Sequence, residues 1–385
     1  FSASGAIRNV YFDSQAAGSG DGSLDNPFRT LSAVSFPAIQ AWVNAGDDVH
    51  LQLKRGSVFR ENFTFSASGT AAHPIRLQDY GAGAKPIISG EAVFTGWSLA
   101  GFGGGATWRL AAPNRVFYLW LENQYLTKGT SAGTLSDGAW VWESGQLYLR
   151  YDAGNPDTLT LSVTGAVRPN ALRLNTVGSL IVSNLIFTKT SSYAASVTDA
   201  NDIQFDDTEW LECGSQLNLN RSVNIAFRAC RFEGSYGNQM ALIEGPQTSA
   251  SFVFCLFANQ FVPAALQILS AASVLVANCN FVSVSGTSVS SAATGAVSLA
   301  NCILTGHAIQ TNTSGSDPIK STGSPILVQN SLILPNGYNP SKHMVNVTEI
   351  GRNLYQDPRY VSVNRESILS LATDDYENLD DWIVF

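Results

Sequence analysis

Residues 179–334 form a ladder. Seven successive segments align on one bulky apolar position, Phe187, Trp210, Phe232, Phe257, Phe281, Leu304 and Ile333, with spacings of 23, 22, 25, 24, 23 and 29 residues. A period in the twenties marks a solenoid whose repeats bury their apolar faces only against their neighbours. Other columns agree. Five before the anchor stand Val182, Phe205, Phe227, Phe252, Val276, Leu299 and Val328. Seven before it stand Leu180, Ile203, Ile225, Ala250, Val274, Val297 and Ile326. Apolar residues alternate with others inside each segment, the period-two pattern of strands with one face inside. Three before the anchor lie Asn184, Asp207, Ala229, Phe254, Asn278, Asn301 and Asn330. Asn and Asp tolerate left-handed backbone angles, so this column reads as a tight corner repeated on most rungs.

The ladder sorts many other residues. Cys230, Cys255, Cys279 and Cys302 share one column two before the anchor, so they read as stacked free thiols packing as small hydrophobes; Cys213 is out of column. Glu209 with Arg231, and Asp206 with Arg228, fall opposite each other on adjacent coils and read as structural cross-strand pairs. No CxxC or Cys/His cluster calls for a metal, and no Ser/His/Asp arrangement, Walker loop or HExxH is present. The charge of −8 without a basic run argues against nucleic acid and anionic membranes as partners. No run of 18 apolar residues offers a membrane span. A chain beginning at Phe1 rather than Met reads as a processed or trimmed product.

The N-terminal part carries motifs instead of the period: Tyr11-Phe12-Asp13, Gly20-Asp21-Gly22, Asn26-Pro27-Phe28-Arg29-Thr30-Leu31, Arg55-Gly56-Ser57-Val58-Phe59-Arg60-Glu61 and Tyr80-Gly81-Ala82-Gly83-Ala84-Lys85-Pro86. These resemble the N-terminal signature of right-handed parallel β-helix proteins of the pectate-lyase-like superfamily. The expected architecture is all-β: residues 1–91 as N-terminal cap and first coils, with a capping helix near Phe36–Ala45; 92–165 as a small antiparallel insertion; 166–334 as coils; 335–385 as last coil and closing segment. Tyr355–Val361 resembles that closing segment, and Thr373-Asp374-Asp375 faintly resembles the first metal-binding strand of polysaccharide deacetylases without its surroundings. The aromatic strands of the insertion read as its own core or as a sugar platform.

The resemblance implies a glycan groove on the strands that follow the anchor column, read as Ala194–Val197, Gln216–Asn220, Met240–Glu244, Ala265–Leu269, Ala308–Asn312 and Met344–Val347. Glycoside hydrolysis needs two carboxyls across the scissile bond, and Glu212, Glu233 and Glu244 lie on coils able to supply them. Lys189, Asn218, Asn220, Arg221, Tyr236 and Gln267 complete the set as candidate substrate-binding groups. A uronate lyase would instead use Lys189 with Arg221, and acidic clusters could then hold Ca²⁺; otherwise no cofactor is required. The expected partner is a polysaccharide, outside the cell, at its surface or on a virion. Three functions stay open: a hydrolase, a lyase, and a non-catalytic glycan-binding or structural domain of an adhesin or phage fibre, where a homotrimer would be expected of a spike.

Overall fold

The computed structural model describes residues 5–101, 106–237, 239–260, 263–284, 286–305, 319–334, 344–345 and 347–350. Three parallel sheets wrap one elongated core. The first runs from Ile7–Phe12 through Asp48–Lys54, Ile75–Tyr80 and Gly178–Ser183 to Val347–Ile350. The second carries the anchor column, with Val58–Phe59 and Ile87–Ser89 preceding Ile186–Thr188, Glu209–Cys213 and Arg231–Ser235. The third runs from Phe63–Phe65 and Leu172–Asn175 through Tyr193–Thr198, Ser215–Asn220, Gln239–Glu244 and Ala264–Ile268 to Met344–Val345. Each coil visits the sheets in that order, and sequence neighbours in the ladder are spatial neighbours in register: Phe187 with Trp210, Trp210 with Phe232, Phe232 with Phe257.

The corner column behaves as its composition implies on five rungs and against it on two. Asn184, Asp207, Asn278, Asn301 and Asn330 all adopt positive φ, between 46° and 58°. Ala229 and Phe254 do so as well, at 52° and 57°, although neither side chain favours it. The regular turn imposes its geometry on whatever residue arrives there.

Aromatic stacking fills the interior. Phe205, Phe227 and Phe252 stack face to face at 5.0 and 4.7 Å, and Phe232, Phe257 and Phe281 at 4.8 and 4.7 Å. Trp210 ends both stacks edge-on, 5.2 Å from Phe205 and 5.0 Å from Phe232. All five cysteines are free and buried. The ladder thiols meet carbonyl oxygens of the coil before, Cys230 that of Phe205 at 3.4 Å and Cys279 that of Phe252 at 3.4 Å. Glu209 and Arg231 align as expected at 3.8 Å, but Lys85 approaches Glu209 more closely, at 3.0 Å, and Arg231 also holds Glu233. Asp206 aligns with Arg228 while its carboxylate accepts the Gln204 amide.

The helix α1, Phe36–Asn44, begins where the Ser35 hydroxyl accepts the Ala38 N–H and buries Ile39 and Val43, one turn apart. Its Phe36 rests on Phe63 and Phe65 of the first coil, so the helix covers the end of the core. Four rungs of the third sheet are additional to the sequence reading, Phe63–Phe65, Leu172–Asn175, Thr287–Ser291 and Ile319–Ser321; the polar composition of Thr287–Ser291 gives little apolar signal, although Ser288 and Val289 are buried. The expected strand at 308–312, the closing segment at 355–361 and the Thr-Asp-Asp tail lie outside the described residues. The insertion forms two sheets, one joining Glu91–Val93, Leu119–Leu121, Gln124–Tyr125 and Val163–Ala166, the other joining Ser98–Leu99, Thr107–Ala111, Thr127–Lys128, Ala139–Glu143 and Gln146–Arg150. It is mainly antiparallel, with Thr127–Lys128 and Ala139–Glu143 parallel. Among the described residues no helix is long and apolar enough to cross a membrane.

Candidate active site

The chemistry gathers where the second sheet breaks its own alternation. Phe187, Trp210 and Phe232 point into the core, and so do Thr190, Cys213 and Ser235, three residues further on. Strict period two would not permit this. It becomes possible because Lys189, Glu212 and Gly234 all take positive φ, 50°, 53° and 69°, forming a column of bulges that turns two consecutive residues outward on each rung. Thr188 with Lys189, Leu211 with Glu212, and Glu233 with Gly234 therefore line one cleft. Its volume is about 710 Å³, and Val58, Arg60, Ile87, Glu91, Asn123, Ile186 and Tyr236 complete its lining. Lys189 and Glu212 share this positive φ with the regular corners of the solenoid, and Asn123, also in the lining, takes φ 64°.

Lys189 is nearly buried, at 7% exposure. Its ammonium pairs with Glu91 Oε2 at 3.1 Å and donates to Asn123 Oδ1 at 3.0 Å and Thr164 Oγ1 at 3.3 Å. It also lies over the Trp120 ring, 5.3 Å from the centroid. Glu91 is buried too and is held on its other oxygen by Arg60, at 3.1 Å. One lysine thus ties the coils to the insertion, from which Asn123, Thr164 and Trp120 come.

Glu212 sits on the next rung, in the same bulge column. Burial pushes its carboxyl above the ordinary glutamate range; Lys189 opposes the shift, and the carboxylates of Glu233 and Glu91 add to it. Glu233, one rung further, is held at the rim by Arg231. Gly234 carries the bulge where a Cβ would lie 3.3 Å from the Glu212 backbone nitrogen, so this rung's bulge adds no side chain above Glu212. Tyr236 closes the side of the cleft; burial, with the Glu212 charge behind it, raises its phenol far above normal.

The insertion divides its aromatics between two tasks. Trp108, Trp140 and Trp142 belong to its own interior and spend their indole N–H groups on the carbonyls of Tyr151, Leu126 and Ala112. Tyr118, Trp120 and Tyr125 instead meet Tyr236 of the coils, at 5.5, 6.1 and 4.3 Å between centroids.

The remaining sequence candidates lie on the third sheet. Glu244 Oε1 accepts from both Asn218 and Asn220, at 3.2 and 3.1 Å. Arg221 grips Asp199 with two bonds of 2.7 Å. Gln267 continues the outward row through Asn218 and Leu242. The structure therefore brings Lys189, Glu212, Glu233 and Tyr236 together and leaves Glu244, Asn218, Asn220, Arg221 and Gln267 on another face. Sequence reasoning missed Glu91, Arg60, Asn123, Trp120 and Tyr125. A signal for two of them existed: Phe59 and Ile88 occupy the anchor column of the preceding coils, and Arg60 and Glu91 follow them closely. Among the described residues no group of three or more His, Cys, Asp or Glu side chains could hold a metal ion.

No protein-family model matches the chain, and no curated protein matches it in sequence. Solved structures do resemble it in shape. A glycoside hydrolase aligns over 94% of this chain and 99% of its own, at 9% identity and TM-score 0.58. An alginate lyase from Paenibacillus sp. str. FPU-7 covers 86% of this chain and 94% of its own, at 11% identity and TM-score 0.54. The pectate lyase Pel9A covers 91% and 78%, at 14% identity and TM-score 0.50. The fold is the parallel β-helix that these structures share. At such identities the likeness to these enzymes concerns architecture alone.

Proposed function

We propose that this β-helix is a glycoside hydrolase acting on a polysaccharide laid along the second sheet, with Glu212 as general acid and Glu233 as the partner carboxylate. The observation that carries the reading is the Glu212 carboxyl: partly buried, pushed up in pKa, and one rung from a second carboxylate in the same cleft. A carboxyl whose pKa is raised can donate to a leaving glycosidic oxygen, while a second carboxyl group across the bond faces the developing cation. Glu233 aligns with Leu211, one residue before Glu212, on the adjacent rung, and measurement of the product anomer would distinguish retention from inversion.

A lyase fits this cleft less well. It needs a base able to take a proton, yet the Lys189 ammonium is committed to Glu91, Asn123 and Thr164, and the Tyr236 phenol holds its proton more firmly than usual. A binding-only role remains the second reading, supported by the polar Asn218–Asn220–Glu244 row on the third sheet.

Incubation with a panel of polysaccharides separates these. New reducing ends without absorbance near 235 nm support hydrolysis. Absorbance at that wavelength supports a lyase, and neither signal supports binding alone. Glu212→Gln and Glu233→Gln should each lower the turnover by about 10²–10⁴-fold; unchanged turnover in either variant would sink the assignment of that residue.

A further inference from the structure

A four-ring cluster joins insertion and coils at their seam, with Trp120 fully buried in it. The insertion already has its own core around Trp97, Trp140, Leu147 and Leu149, and Lys189 already pins it to the coils. Yet Trp120 and Tyr125 face each other across the short hairpin of Leu119–Leu121 and Gln124–Tyr125, and there gather Tyr118 and, from the coils, Tyr236. Tyr125 and Tyr236 stack at 4.3 Å with only 13° between their planes. Each ring covers one face of the other. Tyr125 nonetheless stays 42% exposed, its ring stacked on Tyr236, which with Asn123 lines the cleft.

The charges beside this platform are paired: Arg60 through its Nε and Lys189 with Glu91, and Arg231 with Glu233. An incoming carboxylate would meet the carboxylates of Glu91 and Glu233 beside these cations. A neutral sugar meets no such barrier, and a ring whose hydroxyls are all equatorial offers its C–H face to an aromatic plane.

We infer that the Tyr125–Tyr236 pair is a subsite for a neutral pyranose ring of all-equatorial configuration, and that the cleft discriminates against uronates. The inference rests on the glycan reading above and deepens it by naming the class of sugar. The ring would stack on the open face of Tyr125, with the Asn123 amide in reach of its hydroxyls, while the chain continues along the rungs of Glu233 and Glu212.

Binding to the Glu212→Gln variant tests this without turnover, read by calorimetry and by tryptophan emission, since Trp120 lies 6.2 Å from Tyr125. The probes are xylohexaose and cellohexaose against hexamers of galacturonate and mannuronate. A neutral hexamer should bind at least about tenfold more tightly than either uronate, a difference of about 1.4 kcal/mol. Adding Tyr125→Ala should weaken the neutral ligand by about tenfold or more, and Tyr236→Ala likewise. Tyr125 is exposed enough for its alanine variant to fold, so Tyr125→Ala decides should Tyr236→Ala fail to fold. Equal or tighter uronate binding, no binding of either neutral hexamer, or unchanged affinity in Tyr125→Ala would each overturn the proposal. If the wild type cleaves no glycan while neutral hexamers bind through Tyr125, the subsite stands and the hydrolase reading falls. If cleavage occurs but Tyr125→Ala changes nothing, the reverse holds.

Discussion

Glu212 is held where its charge is unwelcome, and the surroundings let the consequences be signed. Its folded pKa lies above the ordinary value of 4.5. Below that value the carboxyl is protonated in folded and unfolded chains alike; as pH rises through the folded pKa, the folded state alone pays for ionising or for keeping the proton. Glu212→Gln should therefore raise the melting temperature at pH 7 to 8, with the gain disappearing as pH falls below the ordinary glutamate value, measured by melts across pH. Four other groups bear on this carboxyl: Lys189 from the preceding rung, Glu233 from the next, Glu91 from the edge of the insertion and Tyr236 from the side. Of these only Lys189 lowers its pKa. Lys189→Met should move the alkaline limb of kcat/KM to higher pH, because Glu212 then keeps its proton longer; a uniform loss of rate with an unmoved limb would make Lys189 a structural pin alone. The strained corners give a prediction of the opposite kind. Ala229→Gly and Phe254→Asn put residues tolerant of positive φ at 52° and 57°, and each should stabilise the fold by about 0.5–1 kcal/mol in urea titrations.

At the level of the single coil, the cysteine column is a chemical probe of order. Burial raises the thiols of Cys230 and Cys255 well above normal and that of Cys302 to about 11. A thiol reagent at pH 8 should leave the native protein unlabelled and react with five thiols after unfolding; fast native labelling would contradict the packing of this column. The same regularity explains what the sequence could disclose. Anchor, corner and thiol columns were legible because each coil repeats its neighbour, so Phe187, Asn184 and Cys230 announce their places by spacing. Lys189, Glu212 and Glu233 followed as offsets from that column. Asn123 and Trp120 did not, because the insertion of 92–165 breaks the count and no spacing says where a non-repeating sheet docks. Glu244 went to the candidate set because outward polarity is visible in sequence, whereas the sheet that bears the cleft is decided by the bulges, which depend on backbone angles.

Across the whole molecule, stability is shared among neighbouring coils, as the unbroken Phe stacks imply. Phe227 touches Phe205, Trp210, Phe232 and Phe252. Phe227→Ala should cost about 3–5 kcal/mol and lower the denaturation midpoint accordingly, more than any single exposed substitution on the same rung. The cleft itself extends over five rungs of the second sheet, those of Val58, Ile87, Ile186, Leu211 and Glu233, or about 19 Å at strand spacing. Such a floor is a ruler. Its graduations repeat at nearly the length of one sugar unit, so a glycan can advance by one mark and meet the same backbone with different side chains. On the proposed function, only one register would place a linkage at Glu212 and Glu233. Short oligosaccharides would divide their time among idle registers, and kcat/KM measured on a length series should climb with each added unit until the ruler is filled, then level off.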